Sequence, residues 1–256
     1  MLQFLLWFSL LLFPQDKVQI SQVHDYFSVD YLDNIFIVNN SELIKFDSQG
    51  KKSASFSNSM LGSISHIDVT NPLQILLFYN DFNQILFLDR NLAEIGAEID
   101  LYEYSDNETE LICSSTNGGF WIYNSGDNQA VHISESGKNI NQSILLNSFY
   151  KDITPSKMLE YNNDLYLLYP EFGVLNLDRN GQFRKKISIT GIKDFQISQN
   201  NLIYTIESGI FSLQSFKKED KLIFESKSLS EEKHIIKNNK LYISNKKSIS
   251  IKTVKL

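Results

Sequence analysis

Asn71-Pro72-Leu73-Gln74-Ile75-Leu76-Leu77-Phe78-Tyr79-Asn80-Asp81-Phe82-Asn83-Gln84-Ile85-Leu86-Phe87-Leu88-Asp89-Arg90-Asn91-Leu92 holds two apolar runs, residues 75–78 and 85–88, around a short polar turn, with a second turn at Asp89-Arg90-Asn91. Short apolar runs bounded by turn residues read as β-strands, and two around a tight turn read as a hairpin. The runs are apolar at consecutive positions. A strand wetted on one face alternates, so these strands are covered on both faces.

The unit recurs, which changes the fold reading of the whole chain. Runs equivalent to the first begin at Ile35, Ile75, Phe120, Leu165, Leu202 and Leu241, at spacings of 40, 45, 45, 37 and 39 residues. Each is followed by a polar turn and a third strand beginning at Leu43, Ile85, Ala130, Val174, Ile210 or Ile249. Four of these third strands end in similar turn chemistry: Asp47-Ser48-Gln49-Gly50, Asp89-Arg90-Asn91, Ser134-Glu135-Ser136-Gly137 and Asp178-Arg179-Asn180-Gly181. An Asp opening a turn bonds the backbone two residues on, and a closing Gly tolerates positive φ. Weaker fourth strands follow, as at 53–56, 96–101 and 183–189. Four antiparallel strands every 40 residues or so make a propeller blade, and six units make a six-bladed all-β propeller. A two-sheet sandwich would give alternating strands and would not impose this period.

The last unit has strands at 234–237, 241–244 and 248–254 but no fourth, whereas residues 18–23 precede the first blade without a partner there. The N-terminal segment is therefore expected to supply the outer strand of the last blade, closing the ring and removing an exposed edge. Residues 16–256 form one domain on this reading, with no Ser/Gly-rich linker.

Residues 1–13 are apolar apart from Gln3 and Ser9, and the chain turns polar at Pro14-Gln15-Asp16-Lys17. The block is short for a transmembrane span and fits a secretory h-region, giving a signal peptide over 1–15 and an exported chain of the periplasm or outer-membrane periphery. No transmembrane span is expected in the mature chain. The net charge of −6 and scattered basic residues lack a nucleic-acid footprint. The single cysteine, Cys113, excludes an intramolecular disulfide and reads as a buried core thiol.

Candidate binding residues lie in two turns with a shared pattern, Tyr79-Asn80-Asp81-Phe82 in the second blade and Tyr169-Pro170-Glu171-Phe172 in the fourth. Tyr79, Asp81, Phe82, Tyr169, Glu171 and Phe172 combine aromatics and acids as protein interfaces do. Alternatively, both turns are stable copies whose aromatics cap the blade. No cofactor is expected. The acids Asp81, Glu108, Glu110, Glu171 and Glu207 would need to converge on the central channel to hold Ca²⁺ or another hard cation. His24, His66 and His234 fall in expected first strands of neighbouring blades. Counting back from the second strands places His234 in one apolar column with Phe195, Met158 and Cys113, out of register with the other two histidines. The sequence carries no phosphate loop, no Gly-x-Ser-x-Gly elbow, no His-Glu-x-x-His and no paired cysteine sites.

The repeat over everything after the leader resembles six-bladed propellers of the NHL, TolB-like and strictosidine-synthase-like kinds. Asn117-Gly118-Gly119-Phe120-Trp121-Ile122-Tyr123 is similar to one repeat of the two-component-regulator propellers. Leader, composition and the 71–92 stretch together resemble uncharacterised exported propellers of Bacteroidota-type bacteria. The resemblance implies a fold without fixing an activity. The reading is a non-enzymatic binding or scaffold protein of the cell envelope, with an envelope protein as partner and peripheral association with an outer-membrane assembly. The alternatives are a channel-centred hydrolase, lactonase-like or glycan-processing, and a small-ligand or glycan sensor.

Overall fold

The computed structural model describes residues 19–151, 153–214, 220–225 and 232–255, so the signal peptide expected over 1–15, and Val18 of the expected closing segment, lie outside the described residues. A short strand, β1 (Gln19–Ser21), precedes the first blade of β2 (Tyr26–Val29), β3 (Ile35–Asn39), β4 (Glu42–Phe46) and β5 (Lys52–Ser57). The second blade is β6 (His66–Asp68), β7 (Ile75–Tyr79), β8 (Gln84–Leu88) and β9 (Glu94–Asp100). The third is β10 (Ile112–Ser114), β11 (Phe120–Asn124), β12 (Gln129–Ile133) and β13 (Asn139–Gln142). The fourth is β14 (Lys157–Tyr161), β15 (Asp164–Tyr169), β16 (Gly173–Leu177) and β17 (Phe183–Ile187). The fifth is β18 (Asp194–Ser198), β19 (Asn201–Ile206), β20 (Gly209–Leu213) and β21 (Asp220–Phe224), and the sixth has β22 (Lys233–Lys237), β23 (Lys240–Ser244) and β24 (Ser248–Thr253). Each sheet runs in chain order from an inner to an outer strand. The sixth takes β1 as its outer strand, antiparallel to β24 with Ile20 opposite Ile249. The six-bladed propeller closed by its N-terminal strand is the fold that the period predicts.

The continuous apolar runs divide their residues between two neighbouring blades. Ile75, Leu77 and Tyr79 of β7 join the cluster shared with the first blade, while Leu76 and Phe78 join the one shared with the third. Leu165, Leu167 and Tyr169 of β15 likewise face the third blade, and Tyr166 and Leu168 the fifth. Six apolar clusters result among the described residues, one at each blade interface. Successive side chains of a strand point to opposite faces, so a strand between two cores must be apolar throughout.

The inner strands are open edges toward the channel, and side chains from adjacent blades satisfy their backbone. Asp68 Oδ2 accepts from the Ser114 N–H at 2.8 Å, and Gln196 Oε1 from Ile236 N–H at 3.0 Å. Glu160 accepts from Thr116 N–H at 2.8 Å and from Trp121 Nε1–H at 2.7 Å, and also from the Thr116 hydroxyl. Lys157 donates to the Phe195 carbonyl at 2.7 Å. Buried backbone groups need such partners where no further strand can supply them.

The turn chemistry is as the sequence predicts. Oδ1 of Asp47, Asp89 and Asp178 each accepts from the N–H groups two and four residues on, at 2.7–3.0 Å. Gly50 and Gly181 follow with φ of 82° and 73°, but Leu92 takes the same place with φ 66°. Its side chain is buried in the cluster between the first two blades, which offsets a left-handed backbone that costs roughly 1–2 kcal/mol for an L-residue.

Two sequence placements are corrected. His24 precedes β2 rather than lying in a strand. Its Nε2 meets Ser244 Oγ at 2.5 Å and its backbone N–H bonds the Lys246 carbonyl, so it ties the first blade to the sixth. Cys113 is buried as expected, and burial pushes its thiol pKa up. It is not in the apolar column, however. Ile112 holds that place, opposite Ile122, as Met158 is opposite Leu167 and His234 opposite Ile243. The turn from Ser115 to Gly119 is one residue longer in register than the tight Asn162-Asn163 turn, which shifts the count.

Candidate functional site

The inter-blade connections and the turns between second and third strands share one end of the ring. Asp81 Oδ2 accepts from the Ser63 N–H at 3.3 Å, which holds the turn after β7 against the connection from the first blade. On its other side, Asn83 accepts from Leu101 N–H through its carbonyl at 2.9 Å and from Thr109 N–H through Oδ1 at 3.1 Å. Asn83 is fully buried with φ 50°, a left-handed conformation that Asn tolerates. One short turn therefore anchors both neighbouring connections.

The two predicted turns differ. Tyr79 and Tyr169 are both fully buried in blade interfaces, and burial raises their phenol pKa values. Asp81 and Glu171 are exposed. Phe82 is 50 % exposed, whereas Phe172 packs on Tyr150 at 4.6 Å between ring centroids with Lys186 Nζ 5.8 Å above it. Beside Phe82 stand two residues that the sequence reading did not single out. Met60 is 81 % exposed and Tyr102 50 % exposed, and both lie in the connections that the 80–83 turn anchors. Their signal was an Asx-capped turn. Asn58 Oδ1 accepts from Met60 N–H at 3.1 Å and Asp100 Oδ1 from Tyr102 N–H at 2.9 Å, so a capping residue precedes each outward apolar side chain by two positions.

The channel is a cavity of about 1040 Å³ lined by all six inner strands. Strand register builds its uppermost layer. Tyr26, His66, Lys157, Asp194 and Lys233 each pair with the fourth residue of their second-strand run, Val38, Phe78, Leu168, Thr205 and Ser244. Leu111 completes the layer, its carbonyl accepting from Tyr123 N–H. Lys157 Nζ contacts Asp194 Oδ1 at 2.5 Å. Burial pushes the Asp194 carboxyl up, but Lys157, Lys233 and the Phe195 N–H outweigh it and hold its pKa below the usual value. Burial lowers the Lys233 pKa, and Asp194 opposes this. His66 has its pKa lowered to about 4 by removal from bulk water, with Lys233 and Lys157 adding to this and Asp68 opposing. His66 is exposed where it lines the channel, so its desolvation is partial.

The remaining histidines serve packing. His132 stacks on Trp121 with ring centroids 4.7 Å apart, and His234 is buried with Nε2 3.5 Å from Glu232. Of the five acids, Glu110 lines the channel, Asp81 caps Ser63, and Glu108, Glu171 and Glu207 are exposed. Among the described residues, no three His, Cys, Asp or Glu side chains converge as a metal site would require. No helix among them is long and apolar enough to cross a membrane.

No family model matches the sequence, and no curated protein matches it either. Solved propellers do match in fold. Virginiamycin B lyase from Staphylococcus aureus aligns with a TM-score of 0.62 at 12 % identity, over 93 % of this chain and 98 % of the lyase. PorZ, an essential surface component of the type-IX secretion system of Porphyromonas gingivalis, aligns with a TM-score of 0.50 at 10 % identity, over 91 % of this chain and 38 % of PorZ. BBS1N, solved in complex with ARL6DN, gives 0.57 at 12 % identity over 86 % and 75 %. These likenesses establish the propeller fold, which in these proteins serves a lyase, a secretion component and a protein complex.

Proposed function

We propose that this protein is a non-enzymatic binding module of the cell envelope. It docks another envelope protein through the end of the ring that carries Met60, Phe82 and Tyr102, as a subunit of an outer-membrane-associated assembly. The observation that carries this reading is the exposure of those three side chains on a backbone pinned by Asn83 and Asp81. Met and aromatic residues are enriched at protein interfaces, and a rigid support limits the entropy lost on binding. The apolar leader supports export. PorZ is an instance of a propeller at a bacterial surface, and BBS1N of a propeller held in a protein complex.

The test is co-purification from envelope membranes with the full chain as bait, comparing Met60→Ser/Phe82→Ser with Leu32→Ser/Leu73→Ser. The second pair is exposed at the opposite end of the ring. A stoichiometric partner should be retained by the Leu variant and lost at least tenfold by the Met60/Phe82 variant, both keeping the parental thermal midpoint. Loss with the Leu variant alone, or with neither, overturns the reading.

A further inference from the structure

The uppermost channel layer sets two ammonium groups, Lys157 and Lys233, against one carboxylate, Asp194, with His66 on the facing inner strand. Lys157 is committed: it bonds Asp194 and the Phe195 carbonyl. The Lys233 ammonium makes no hydrogen bond or ion pair among the described residues, although its strand stands beside β18. Asp194 also accepts from the Phe195 N–H, so it serves Lys157 and its own strand first.

The other carboxylates around the channel are engaged or displaced from this layer. Asp68 accepts from Ser114 and Thr70 N–H groups, Glu160 from Thr116 and Trp121, and Glu232 lies against His234. Glu110 lines the third-blade side, where the layer itself presents Leu111. These carboxylates keep their charge, but on the fourth to sixth blades four lysines, Lys157, Lys193, Lys233 and Lys237, outnumber the acids Glu160, Asp194 and Glu232, so the excess positive charge sits there, inside a cavity of about 1040 Å³, large enough for a small metabolite.

We infer that this layer binds a small oxyanion, a carboxylate or phosphate group, between Lys233 and Lys157 with the His66 imidazole as a further donor. Lys157 is oriented in advance by Asp194 and the Phe195 carbonyl, which reduces the ordering cost on binding. His66 is neutral at pH 7, so one ring nitrogen carries a proton to donate. A bound anion would offset the ammonium charges that disfavour the imidazolium, and so raise the basicity of His66. The site uses none of Met60, Phe82 and Tyr102 and stands or falls apart from the docking surface.

The test is a titration of the full chain at pH 6 and fixed ionic strength with inorganic phosphate, and in a parallel arm with acetate, followed by the His66 ring resonances. Saturable shifts in either arm are expected. The preferred anion distinguishes phosphate from carboxylate ligands. Lys233→Gln should weaken binding about tenfold or more, as loss of a charge-assisted hydrogen bond does, and Lys255→Gln on the exposed tail should leave it unchanged. Lys233→Gln alone should also raise the His66 pKa, which checks the geometry without ligand. Non-saturable shifts, or equal affinity in the Lys233 and Lys255 variants, overturn the inference.

Discussion

Tyr79 and Tyr169 show how a residue's meaning depends on which face of a strand it takes. Each ends its second strand on the side of the preceding blade, and neither hydroxyl has a hydrogen-bond partner among the described residues. Tyr79→Phe and Tyr169→Phe are therefore expected to leave stability unchanged or slightly raised, whereas Ala at either position should cost about 3–5 kcal/mol, as for large aromatic core residues. Denaturant melts would check this, and a Phe variant that lost partner binding at unchanged stability would reassign the hydroxyl to function. His66 supplies a pH dependence. Its pKa falls to about 4 in the folded chain, against about 6.5 unfolded, so the unfolded state binds more protons between these values. Stability should be fully present above pH 6.5 and decline as the pH falls toward 4, by less than for a fully desolvated ring. His66→Gln should flatten that part of the thermal-midpoint profile. The likeness of the 79–82 and 169–172 turns was legible in the sequence. The burial of Tyr79 was not, because a tyrosine after four apolar residues reads as either strand end or turn.

At the scale of elements, β1 carries the closure. Ile20 is buried in the cluster between the sixth and first blades, and pairing with β24 covers an edge that would otherwise face solvent. Ile20→Ser should lower stability by about 1.5–3 kcal/mol, the value of burying one such side chain. Deletion through Gln22 should lower the thermal midpoint further and promote association through the freed edge of β24, visible by light scattering. The unpaired segment and the missing fourth strand made this closure readable before any coordinates. Its polar reinforcement was hidden. Asp33 accepts from Lys240 Nζ at 2.7 Å and from Asn238 Nδ2 at 2.9 Å at one end of the ring, and His24 meets Ser244 at the other. These pairs are separated by some 200 residues, and nothing local marks them.

Across the whole molecule, the ring makes every blade dependent on two neighbours. Related contacts run around the end opposite Met60, Phe82 and Tyr102: Thr116 to Asn163, Asn162 to Asn200, Gln199 to Asn239 and Asn238 to Asp33 join the third blade to the first by way of the sixth. Several of these residues form two-residue turns with positive φ at both positions, a geometry that Asn tolerates. With one end braced by this belt and by the Asp-opened turns, the other end carries Met60, Phe82 and Tyr102, and the channel opens between them.

The repeat and its period determined the fold, the number of blades and the place of closure. These follow from local rules: which residues favour strands, which open turns, and which strands must be covered on both faces. The tertiary structure decided which aromatics face solvent and which side chains share a channel layer. Phe82 and Phe172 occupy matching turns, yet Tyr150 and Lys186 cover only one of them. His66, Lys157, Asp194 and Lys233 are drawn from four blades, and only the register of four separate hairpins brings them to one height. A one-residue difference in a turn moves a side chain to the other face, as Cys113 shows, so such a layer is fixed by pairing across strands rather than by spacing along the chain.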